Sequence, residues 1–262
     1  MAITNCIFCG CELRPSGQKI PCARSAEHIF AAWFRKLSLH QTMNMYVGDV
    51  NGGTPQLMRS PSLTHLTMKG VCKKCNNEWM SALETAVEPI MIRLFDNTDV
   101  DELLEAERAI LARWTAKTAI TLSYATPRHA PVPLQASRSL HPDYQGPVRF
   151  GFFYSKLTAD RTLENGHLQL VYGTEIGLVG NEIAGTRLVL CLNNHLLIVD
   201  FPPSVPGFRF DLSEACSAQL WPVPRPAGVA TLNFEGMTRV DQVLLAVCRA
   251  IRVQMETGAL RA

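Results

Sequence analysis

The stretch VCKKCNNEWMSALE, residues 71–84, sets two cysteines three apart, follows them at once with two asparagines and then enters an apolar pattern. Trp79, Leu83 and Val87 are spaced four apart and Met91 and Leu94 continue the stripe, which is the period of an α-helix. Pro89 is expected to kink this helix or to end its first part. In a CxxC pair of this spacing both thiolates can point at one ion.

A second pair stands far upstream. Cys6 and Cys9, in CIFCG, have the same spacing, and Gly10 fits the tight turn of a zinc knuckle. Two such pairs complete a tetrahedral four-thiolate site, so Cys6, Cys9, Cys72 and Cys75 are expected to hold a structural Zn²⁺. About sixty residues separate the pairs, more than in a simple zinc ribbon, so something with its own structure lies between them. The chain has nine cysteines, an odd number, and six fall in the first 75 residues, which argues against a fully disulfide-paired secreted scaffold. Cys11 is a competitor of Cys9 for the ion, and Cys22 has no assignment. Cys191 and Cys248 lie in apolar runs and read as core, and Cys216 receives no role.

Length and composition suit a folded chain with one core and an appended module: 262 residues, 47% hydrophobic and 18% charged. No window approaches the apolar run of about 18–20 residues that a membrane span needs. The opening MAITNCIFCGCELRPSG lacks the apolar stretch of a signal peptide, so the cytoplasm is the expected location. Residues 1–75 carry nine Lys and Arg against three acids, although the whole chain is only +2. A basic module joined to a mildly acidic body is a polyanion-binding layout; an unevenly charged solvated surface is the alternative.

Between the cysteine pairs lies RSAEHIFAAWF, with Glu27 beside His28. A carboxylate next to an imidazole supplies a hard oxygen ligand and a base that titrates near neutrality. CIFCG, SAEHIFAAWF and VCKKCNNEW, taken in order, resemble the HNH endonucleases, also called the His-Me finger or ββα-metal family, in the branch stapled by two CxxC knuckles. The resemblance covers about residues 6–84. It implies that Glu27 binds a catalytic Mg²⁺ or Mn²⁺ ion, that His28 is the general base, and that Asn76 is the second metal ligand. Asn77 competes for that last role, and a plain helix N-cap is the other reading of Asn76. The family often has Pro a few residues after the histidine, where this chain has Ala31 and Ala32. Asn44 and Asn51 are candidates for the middle asparagine that orients the histidine. The implied activity is hydrolysis of phosphodiester bonds in nucleic acid, with DNA the favoured substrate and Lys69, Lys73 and Lys74 as phosphate contacts. The alternative is a zinc-stabilised nucleic-acid-binding protein without catalysis.

Downstream, VDELLEAERAILARWTAKTAITLSYA reads as a second long helix that forms an antiparallel hairpin with the first. Trp114 is assigned to the core, and Arg113 and Lys117 to the surface, or else to an extended DNA track. Residues 127–147, with five prolines, read as a linker or surface loop. VRFGFFYS, HLQLVYG, TRLVLCL and HLLIVDF then suggest an antiparallel sheet of four or five strands, with Asn193 and Asn194 as a tight turn. A Pro-rich stretch follows over 202–226, and residues 238–254 close the chain as a helix capped by Thr238. The remaining histidines, His40, His65, His129, His141, His167 and His195, show no ligand spacing. The expected fold is α+β: a zinc-bound ββα-metal finger (1–95), a long helix packed on it (96–126), and an α+β module of antiparallel sheet and terminal helix (127–262).

Overall fold

The structure, a computed structural model, describes residues 3–15, 20–37, 43–49, 56–60, 66–96, 98, 100–125, 132, 134–145, 151–158, 168–179, 182–192, 195–201, 218–221 and 232–233. It combines helices with mainly antiparallel sheets. Strands β1 (Arg24–His28) and β4 (Thr67–Cys72) pair antiparallel as a sheet of their own. Between them come a 3-10 turn at Ala32–Lys36 and the hairpin of β2 (Met43–Asp49) and β3 (Gln56–Ser60).

From β4 the chain passes directly into helix. The α-turn α1 (Lys73–Cys75), a π-helical stretch (Asn76–Met80) and α2 (Ser81–Phe95) follow one another with helical backbone angles throughout. Leu83, Val87, Ile90, Met91 and Leu94 are buried, as the apolar period requires. Pro89 lies inside α2, and the helix runs on past it to Phe95. Helix α3 (Glu105–Ala125) returns antiparallel to α2, since Arg93 pairs with Glu107 while Glu84 meets Trp114 and Lys117.

Helix α3 is the centre of the molecule. It packs against α2, β4 and strands of the larger sheet, and twelve of its residues from Leu111 to Ser123 are buried. A helix covered on so many sides is built from small and apolar residues, which explains the run of Ala and Thr around Trp114.

The larger sheet contains β5 (Gly151–Thr158), β6 (Leu168–Val179), β7 (Glu182–Leu192) and β8 (His195–Phe201), each overlapping one of the four runs read from the sequence. Leu192 pairs with His195, and the tight turn expected at Asn193 and Asn194 lies outside the described residues. The sheet is wider than the four or five strands expected. Among the described residues it has eight: with β10 (Leu232–Asn233) parallel to β5, the order is β10-β5-β8-β7-β6-β2-β3, and β9 (Ala218–Trp221) lies beside β5. The additions come from segments without a clean strand pattern: β9 from the Pro-rich stretch, and β2, parallel to β6, from between the cysteine pairs. Parallel pairing joins segments distant along the chain, which is why local alternation does not reveal it.

The expected linker over 127–147 also holds structure. Helix α4 (Leu134–Arg138) buries Ala136 and Ser137, and Leu140 follows them into the core. Five residues are too few for a periodicity to show, and prolines masked the helix. The expected terminal helix over 238–254 lies outside the described residues, as do Asn51, Cys216 and Cys248. Among the described residues, no helix is long and apolar enough to cross a membrane.

Candidate functional site

The cysteine centre is built from two local turns. In the first, Gly10 N–H donates to Cys6 O at 2.8 Å and Cys6 N–H to Cys11 O at 2.8 Å, closing a loop that needs φ +78° at Gly10. That left-handed angle suits glycine. A Cβ there would also lie 2.6 Å from the Arg138 guanidinium, so α4 seals the turn. In the second turn Cys72 Sγ caps α1 by accepting the Cys75 N–H at 3.4 Å. The backbone bond from Ile7 N–H to Gly70 O ties the first turn to β4, and that from Lys73 N–H to Ala23 O ties the second to the start of β1.

The result is a cluster in which the sulfurs of Cys6, Cys9, Cys72 and Cys75 all lie within 4.8 Å of one another. Cys6 and Cys75 are 3.8 Å apart and Cys9 and Cys72 are 3.7 Å apart, too far for disulfides. A tetrahedral ion about 2.3 Å from each sulfur places them about 3.8 Å apart, so the site fits a metal ion such as zinc. The thiols shift one another's affinity for protons. Hydrogen bonds from Cys72 and Cys75 hold Cys6 far below the ordinary thiol range, while contact with Cys6 pushes Cys72 up to about 11 and Cys75 well above its ordinary value. Cys11 and Cys22 are half-buried and stand outside the cluster.

Beside this centre, β1, the 3-10 turn and the start of the long helix enclose an open cleft of about 700 Å³. Its walls include Glu27, His28, Asn76 and Asn77, together with Arg35 and Glu84. The structure therefore brings the three residues singled out in the sequence to one cleft. Glu27 is buried, at 4% exposure, and His28 is exposed. The β1–β4 register slips between Ser25 and Glu27, a bulge that re-aims the end of β1 where these two residues sit.

Asn76 is not an N-cap, because Cys72 takes that position and Asn76 has helical angles. It opens the π-helical stretch, in which Ser81 N–H bonds to Asn76 O, and its Nδ2 donates to Ser25 Oγ at 2.8 Å. Single π turns occur often at functional sites. Here the turn forms one wall of the cleft through Asn76, Asn77, Met80 and Ser81.

Lys69 and Lys74 are exposed and Lys73 is half-buried, but none of the three lines the cleft; its basic side chain is Arg35. Asn44 lies on β2, paired with Arg59 and Gln169 in the larger sheet and not on the β1–β4 pair. His195 is a core residue bonded to the Tyr154 hydroxyl at 2.7 Å, and the His141 ring meets Trp79 edge-on.

One assignment is overturned. Trp114 is in the core, as expected, but Lys117 is no surface cation: its side chain is fully buried between Glu27, at 3.3 Å, and Glu84. Glu84 also accepts the indole N–H groups of Trp33 at 3.2 Å and Trp114 at 3.0 Å. Burial alone would strip the proton from Lys117, but Glu84 and Glu27 outweigh it and raise its pKa above the usual lysine range. Burial raises the Glu27 carboxyl, and Lys117, shared with Glu84, offsets only part of that. A signal existed in the sequence: Lys117 is the only charge between Trp114 and Ala125, in a run otherwise fit for burial. Arg113 is half-buried and donates to Leu140 O at 2.6 Å.

No protein-family model, no curated protein and no solved structure matches this chain.

Proposed function

We propose that the protein is an HNH-type endonuclease that hydrolyses phosphodiester bonds of nucleic acid, DNA being the favoured substrate. What supports this reading is that Glu27, His28 and Asn76 line one cleft beside the four-cysteine cluster, on an antiparallel strand pair and the helix that follows it. Oxygen donors of the carboxylate and amide type suit a hard divalent cation such as Mg²⁺ or Mn²⁺. Asn76 spends its Nδ2 on Ser25, which leaves Oδ1 as the atom for that purpose.

In this reading His28 accepts a proton from a water molecule whose oxygen attacks phosphorus, and the bond from phosphorus to the leaving oxygen breaks. Glu27 and Asn76 would hold the cation, from the strand end and the helix start. When bound, the ion would stabilise charge on the phosphate oxygens and on the departing oxygen. Arg35, at the cleft wall, supplies a positive group for the phosphate backbone.

The test is incubation of purified protein with plasmid and Mg²⁺ or Mn²⁺. Wild type should nick or cut, and His28→Ala should lose about 10²–10⁴-fold in rate with its zinc content unchanged. Equal cleavage by both removes the mechanism. One observation favours a second reading, nucleic-acid binding without catalysis: Glu27 already has a cationic partner in Lys117. That reading predicts binding that weakens steeply with salt and no divalent-dependent cleavage.

A further inference from the structure

Side chains from three elements form a connected chain of charge at the cleft: Glu27 and Glu84 line it, and Lys117 lies behind them. Glu84 Oε2 accepts from the two indole N–H groups of Trp33 and Trp114, and its Oε1 accepts from Lys117 Nζ. Both oxygens of Glu84 are thus engaged. The rings that hold it are themselves packed, with Trp33 stacked on Phe34 at 4.2 Å and Phe34 stacked on Trp114 at 5.7 Å. Lys117 reaches onward to Glu27 Oε1. Glu27 lines the cleft, and no donor among the described residues reaches its Oε2. Two carboxylates and one ammonium leave one uncompensated negative charge, and the oxygen without a partner is Glu27 Oε2.

Resting on the proposed reading of the cleft as a cation and phosphodiester site, we infer that Lys117 and Glu84 are positioning residues: Glu84 anchors Lys117, and Lys117 pins one oxygen of Glu27 so that the other is presented to a divalent cation. A carboxylate held at one oxygen has a defined direction at the other; one held at neither swings about its last torsion. Groups that orient a metal ligand from behind are worth about 10–100-fold in affinity or activity. Lys117 is suited to the task because its Nζ approaches Glu27 from the interior and Lys117 is not part of the cleft wall.

The test reads Mn²⁺ binding to the full chain without nucleic acid, from the electron paramagnetic resonance signal of the free ion, alongside plasmid cleavage. Lys117→Met should weaken Mn²⁺ binding about 10–100-fold with zinc content unchanged. The double variant E27Q/K117M should bind no more weakly than Glu27→Gln alone, because the lysine acts only through that carboxylate. A Lys117 that merely supports the fold would leave Mn²⁺ affinity at the wild-type value, or add its loss to that of Glu27→Gln; either result overturns the inference. If Lys117→Met does not fold, Lys117→Arg carries the test: it keeps the buried charge but not the position of the donor on Glu27, so Mn²⁺ binding should weaken, and unchanged affinity overturns the inference. Wild type that binds Mn²⁺ through Glu27 but leaves plasmid intact removes the nuclease reading and keeps this one, provided the variants bind more weakly. Wild type and Lys117→Met that bind and cleave alike do the reverse, and a wild type that binds no Mn²⁺ removes both.

Discussion

The four-cysteine cluster and the Glu27–Lys117–Glu84 triad share the same strand pair and helix, yet they are assembled by opposite routes. Each half of the cysteine cluster is a local turn, closed by bonds such as Gly10 N–H to Cys6 O and Cys75 N–H to Cys72 Sγ, and only the meeting of the halves is tertiary. The triad has no local part. Its members come from β1, α2 and α3, and Lys117 lies 90 residues from Glu27 along the chain. The first centre could hold a metal ion such as zinc between its sulfurs; the second carries its own cation in Lys117. A metal bound there would couple folding to metal supply, whereas the triad couples the cleft to the packing of α3.

That contrast can be broken at either end. Stripping the metal with a strong chelator, or Cys72→Ser, should have the largest effect, a loss on the order of 10 kcal/mol in the stability of the β1–β4 unit, seen as melting of its circular dichroism signal. Survival of that unit without metal would show that the cluster does not staple the fold. Lys117→Met comes next. It leaves the buried Glu27 and the half-buried Glu84 without their cation and should cost roughly 3–5 kcal/mol in denaturant unfolding, with zinc still bound. Loss of zinc from this variant would show that the two centres are not independent.

The same residue has a pH signature. The Lys117 pKa is raised in the folded protein, so its contribution is complete below the ordinary lysine value of about 10.4 and is lost as pH rises through the raised value. Wild type should therefore lose stability more steeply than Lys117→Met on the alkaline side; parallel curves would place the ammonium elsewhere. Gly10→Ala, which forces a side chain into a left-handed turn and against Arg138, should cost about 1–2 kcal/mol. A neutral effect in thermal unfolding would mean that the knuckle relaxes. His28→Ala should be the mildest for stability, within about 0.5 kcal/mol, because the side chain is exposed. A large loss would make His28 a structural residue and weaken its proposed role.

Much of the architecture was legible from short patterns. The CxxC spacing pointed to a shared ion, and the four-residue apolar step to the helix through Leu83 and Val87. The runs around Tyr154, Val171, Leu190 and Leu197 pointed to strands. What escaped was either too short, as in α4, or paired at long range, as in β2 beside β6. At the candidate site, Glu27 and His28 stood out as an adjacent acid and imidazole between the cysteine pairs, and Asn76 as the residue directly after Cys75, in the order that the family resemblance implies. Glu84 and Lys117 were not, since each sits in a helix where a charged residue ordinarily faces water.

Sequence alone determined which residues could share an ion and which segments could be helix or strand, because covalent spacing and side-chain period are properties of a few consecutive residues. Tertiary structure decided that Lys117 is buried, that Glu27 lines a cleft with one oxygen bonded to Lys117, and that a hairpin from between the cysteine pairs joins the larger sheet. Burial is the physical reason: a lone ammonium is stable inside a protein only where other elements bring carboxylates to it, and no local pattern records which elements those will be.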